Sequence, residues 1–89
     1  MKAFMTVIGP DRVGIVAAAS ALLAELNINI LDINQTIMGD TFTMTLCVDL
    51  KDANRPFEEI NAAMDVFGAR ENLAVRIQRA EIFSAMHRI

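Results

Sequence analysis

The sequence predicts one α+β sandwich: a four-stranded antiparallel sheet with two helices on one face, in the order βαββαβ, followed by a short C-terminal helical tail. Three observations predict it. Apolar runs of strand length are interleaved with two stretches whose apolar residues recur at helical spacing. The two central strand-like runs meet at Gly39-Asp40, a two-residue hairpin signal. Phe42, Met44, Leu46, Val48 and Leu50 alternate with Thr41, Thr43, Thr45, Cys47 and Asp49, as in a strand with one buried face. Two helices packed on one face of such a sheet give the ferredoxin-like arrangement.

Residues 3–8 carry apolar side chains on both faces, Phe4 and Ile8 opposite Met5 and Val7, which places this strand in the middle of the sheet. Gly9 and Pro10 then punctuate a turn. Asp11 is the expected N-cap of the helix that follows. Gly14 falls in the first turn of that helix, where close approach of another backbone or a ligand would explain it. Free N–H groups at a helix start favour an anion, so this corner suits a small carboxylate. It lacks the Lys-Ser/Thr ending of a P-loop and the three-glycine spacing of a dinucleotide site. A strand-to-helix corner of this composition also occurs with no ligand at all.

Residues 13–26 form a helix with Ile15, Ala19, Leu22, Leu23 and Leu26 on one stripe. The rest of its circumference, Val16, Ala17, Ala18, Ala21 and Ala24, is also apolar, which a second subunit could cover. In the strand at residues 27–38 the apolar phase slips, Ile28 and Ile30 on one face and Leu31, Ile33 and Ile37 on the other, as a β-bulge produces. The hairpin then pairs Ile37 with Phe42, Ile33 with Leu46 and Leu31 with Val48. Pro56 opens the second helix, whose buried stripe is Phe57, Ile60, Met64 and Phe67, and Gly68 or Asn72 stops it. Residues 73–79 supply the last strand, with Leu73, Val75 and Ile77 inward. Residues 81–89 carry Ile82, Phe83, Met86 and Ile89 at the spacing of a short helix.

A chain of 89 residues is one small domain, and 54% apolar content is high enough to imply that some of it lies at a subunit interface. Net charge is −3 and Lys and Arg are scattered, which argues against nucleic acid as the main partner. One cysteine makes no internal disulfide and fits a reduced, cytoplasmic setting. The apolar run before Gly9 is too short for a signal peptide core, and the run at residues 13–26 is too short to span a bilayer, so no membrane partner is expected.

Catalytic chemistry is sparse. His87 is isolated, Cys47 has no His or second Cys in view, and Ser20 has no base. Asp49 and Asp52, like Glu58 and Glu59, read as solvated charge. No metal-ligand spacing and no nucleophile–base pair is present, so neither metal nor cofactor is expected, and a binding or regulatory module is favoured over an enzyme.

The run Gly9-Pro10-Asp11-Arg12-Val13-Gly14-Ile15-Val16-Ala17, with Leu26-Asn27-Ile28-Asn29-Ile30, Gln35-Thr36 and the strand from Phe42, resembles the ACT domain, a small regulatory fold that commonly binds amino acids. The likeness is strongest to small stand-alone ACT proteins and to the ACT segments of formyltetrahydrofolate deformylases and glycine-cleavage repressors. The resemblance implies that two copies pair side by side and hold a small ligand at their seam. Carried onto this chain, the ligand residues are Pro10, Asp11, Arg12, Val13, Gly14 and Ile15 of one copy with Asn29, Ile30 and Asp32 of the other. No catalytic or DNA-binding domain is attached, so the regulated enzyme or regulator would be a separate chain. The alternative is a ligand-free interaction module docking through the outer sheet face or the tail.

Overall fold

The structure, a computed structural model, describes residues 1–80. The tail helix expected at residues 81–89, and His87 within it, lie outside the described residues. The elements are β1 (Lys2–Pro10), α1 (Ile15–Glu25), β2 (Asn29–Met38), β3 (Thr41–Asp49), α2 (Phe57–Glu71) and β4 (Ala74–Arg79). The strands form one antiparallel sheet in the order β2-β3-β1-β4. This is the ferredoxin-like arrangement that the sequence predicts.

β1 is central, as its two apolar faces require. Met5 and Val7 are fully buried, whereas Ile8, on the opposite face, is 44% exposed. Phe42, Met44, Leu46, Val48 and Leu50 are all buried, so the alternation of β3 is the core face of the sheet. α1 contributes Ile15, Ala19 and Leu23, and α2 contributes Ile60, Met64 and Phe67. Each such large side chain stabilises the fold by about 1.5–3 kcal/mol relative to exposure. The Ala residues at positions 17, 21 and 24 of α1 remain exposed.

α2 ends at Asn72, in the left-handed conformation at φ 58°, rather than at Gly68. The N–H of Leu73 bonds back to the Gly68 carbonyl at 2.9 Å. The corner turned there packs against β1 at Gly9, where a Cβ would come within 2.5 Å of the Leu73 side chain.

The β2–β3 hairpin pairs Ile37 with Phe42, Ile33 with Leu46 and Gln35 with Met44, as expected. The expected pairing of Leu31 with Val48 is wrong. Ile30 opposes Val48, Asp32 opposes Cys47, and Leu31 is the extra residue of a bulge between them. The phase slip in the sequence marks that bulge, and the register before it is displaced by one. A second difference concerns cover. Ile33 and Ile37 face the same side as the buried Leu46 and Phe42, yet they are 42% and 52% exposed. β2 is an edge strand, and α1 barely reaches over it.

Candidate functional site

The β1–α1 loop, residues 11–14, is held from two sides. The Asp11 backbone N–H donates to the Asp40 carbonyl at 2.8 Å, which ties the loop to the tip of the β2–β3 hairpin. The Arg12 guanidinium donates to the Glu71 carboxylate at 2.6 Å and to the Glu71 carbonyl at 3.2 Å, which ties it to the end of α2. Arg12 beside Glu71, with a second hydrogen bond from Arg70, holds the Glu71 carboxyl below its ordinary range, against the opposing pull of desolvation. The loop is therefore pre-organised by contacts from residues far along the chain.

Two expectations change here. Asp11 does not cap α1: the N-cap is Gly14, and no side chain bonds the helix start. Gly14 is not in the first helical turn, because the helix begins one residue later, at Ile15. Within the single chain nothing lies within 4 Å of a Cβ at Gly14, so no contact within the chain explains it. Its φ of 92° does, since the left-handed region is costly for other residues. Arg12, expected at the ligand, hydrogen-bonds Glu71 within the chain.

The consequence for chemistry is an uncapped helix start. The Ala18 N–H is the first to bond within the helix, to the Gly14 carbonyl at 2.9 Å, and the first turn holds no acidic residue. The N–H groups of Ile15, Val16 and Ala17 point to where an anion is favoured. Next to them Val13 is 98% exposed, an apolar side chain held in water by a rigid loop.

The other half of the expected site lies elsewhere. Pro10 pairs with Thr41 at one end of the sheet, and Asn29 pairs with Asp49 at the opposite end. β2 has ten residues, so its ends are about 30 Å apart. Within one chain, Asn29, Ile30 and Asp32 thus cannot meet residues 10–15. The Asp32 carboxylate accepts the Ile33 N–H at 2.9 Å beside the bulge. Among the described residues no group of three or more His, Cys, Asp or Glu is placed to hold a metal ion. No helix among them is long and apolar enough to cross a membrane.

A family model described as the ACT domain matches residues 3–78 of this fold. The chain belongs to the ACT-domain family. Among relatives, this ACT domain is 48% identical over 89 residues to a UPF0237 protein of Listeria monocytogenes serotype 4b, covering all of both chains. Among solved structures it is similar to an ACT domain protein from Streptococcus pneumoniae, with a TM-score of 0.83, 42% identity and 93% of each chain covered. It also matches 27% of the length of a formyltetrahydrofolate deformylase from Pseudomonas syringae pv. tomato, with a TM-score of 0.77, 27% identity and 88% of this chain covered.

Proposed function

We propose that this ACT domain is a non-catalytic regulatory module that binds a small carboxylate ligand of the amino-acid class at the seam of a homodimer and acts on a separate protein in the cytoplasm. One observation carries the reading. The residues expected at the ligand stand at opposite ends of β2, so one chain alone does not bring them together and a second copy would. Antiparallel pairing of β2 with its copy lays the start of one strand beside the end of the other. The Asp11–Asp40 hydrogen bond keeps the β1–α1 loop at that end. The exposed side chains of Leu31, Ile33, Ile37 and Val13 support the same pairing, since an apolar edge strand invites another strand.

In this arrangement the ligand carboxylate lies on the N–H groups of Ile15 to Ala17. The ammonium faces Asp11, with Asn29 and Asp32 from the other copy. Such a ligand stabilises the folded dimer by mass action. Thermal denaturation with each of the twenty amino acids at millimolar concentration, run beside sedimentation equilibrium, tests the reading. A dimer with a raised melting temperature for one or a few of them supports it. A dimer that no amino acid stabilises favours the ligand-free interaction module, and a monomer removes the seam on which the site depends.

A further inference from the structure

A cavity of about 510 Å3 opens at the end of the sheet away from the β1–α1 loop, bordered by Ala24, Asn27, Asn29, Asp49, Lys51 and Asp52 over a floor of buried Ile28. Its volume is that of a small-molecule pocket. Its wall is stapled in place. Asn27, in the left-handed conformation at φ 57°, donates from Nδ2 to the Asp52 carbonyl at 2.8 Å. Asn54 donates from Nδ2 to the Glu25 carbonyl at 2.9 Å and from its backbone N–H to the Leu26 carbonyl at 3.0 Å. These bonds tie the β3–α2 turn to the end of α1 and fix the backbone that carries Lys51 and Asp52.

The charges on this wall are unequal in their commitments. The Asp49 carboxylate accepts the Lys51 N–H at 3.0 Å and lies 3.7 Å from the N-terminal ammonium. Among the described residues, neither the Lys51 ammonium nor the Asp52 carboxylate has an ion-pair partner. Opposite charges are thus presented to one cavity without neutralising each other. Pre-organised groups bind at lower entropic cost than mobile ones.

We infer that this cavity is a second ligand site, for a small zwitterion whose anionic group meets Lys51 and whose cationic group meets Asp52. The site is complete within one copy and does not need the β2 seam. Asn29 borders both, so occupancy of one is felt at the start of β2.

The test is an NMR titration of the wild-type chain and of an Ile37→Lys variant, made to be monomeric, with glycine, alanine, glutamate and lysine in turn. The expected result is saturable shifts at the amides of Ala24, Asn27, Asn29, Lys51 and Asp52 in both proteins. Lys51→Ala and Asp52→Ala should each weaken binding at least tenfold while leaving the rest of the amide spectrum in place. Acetate and methylamine, each carrying one of the two charges, should bind at least tenfold more weakly than the best zwitterion. Saturable shifts confined to the β1–α1 loop, lost with Ile37→Lys, would leave the seam site standing and overturn this one. Shifts that survive both alanine substitutions, or the absence of any shift, would also overturn it.

Discussion

The two edges of the sheet are built differently. β4 carries Arg76 and Arg79 within six residues, its apolar Val75 and Ile77 are buried beneath α2, and the Arg79 guanidinium lies 4.9 Å from the centre of the Phe57 ring. β2 carries no Lys or Arg along its ten residues, its only charge is Asp32, and Leu31, Ile33, Ile37 and Met38 are left exposed. Cationic side chains and an overlying helix are ways in which edge strands are kept from pairing. β4 uses both and β2 uses neither. The difference teaches which edge the fold protects and which it leaves open, as the proposed pairing of β2 requires.

The largest effect separates the edges by their role in folding. In a background made monomeric by Ile37→Lys, truncating the β4 residue in Ile77→Ala should cost about 2–5 kcal/mol in urea unfolding, because it leaves a cavity under α2. Ile33→Ala on β2 should cost about 0.5 kcal/mol in the same background, as surface changes do. Equal costs would erase the contrast. For the proposed dimer the order of importance reverses: Ile37→Lys should raise the dissociation constant at least tenfold by sedimentation, while Arg76→Glu on β4 should leave it unchanged.

Two smaller effects concern the β1–α1 loop and its tie to α2. Gly14→Ala should destabilise the chain by about 1–2 kcal/mol in thermal or urea denaturation, since alanine is strained in the left-handed region. The cost should appear even in the monomeric background, because it comes from the backbone and not from crowding. The smallest effect is on pH. The Glu71 carboxyl titrates below its ordinary value of 4.5 because Arg12 hydrogen-bonds it, so the folded state binds that proton less readily than the unfolded chain. The stabilisation is complete above the ordinary carboxyl range and fades as pH falls through the lowered value. Wild type should therefore lose its advantage in melting temperature over Glu71→Gln as pH falls below the ordinary carboxyl range.

The elements themselves were legible because each rests on local periodicity. The alternation from Phe42 to Leu50 marked the buried strand, and the phase slip at Leu31 marked the bulge before any pairing was known. The position of that bulge in the register was not legible, because one added residue shifts every partner before it. Exposure was also hidden: Ile33 and Ile37 have the pattern of core residues, and only the reach of α1 decides whether they are covered. At the site, the corner at residues 10–15 stood out through its glycines and proline. Asp11 is a good cap by residue type, but the positive φ of Gly14 starts the helix too late for it. Arg12 and Glu71 are 59 residues apart, and no local signal joins them. The same holds for Asp52, which reads as solvated charge until the Asn27 and Asn54 staples bring its turn against α1.

The claim that two copies complete one site is tested most directly by a cysteine cross-link. In a Cys47→Ser chain carrying Val13→Cys and Leu31→Cys, the two new thiols lie near opposite ends of β2 within a copy, far beyond the roughly 7 Å between Cα atoms that a disulfide spans. Mild oxidation at micromolar concentration should give a covalent dimer on a non-reducing gel, and a Val66→Cys control on α2 should not. A doubly substituted chain that stays monomeric after oxidation, or cross-links no faster than the control, would contradict the account.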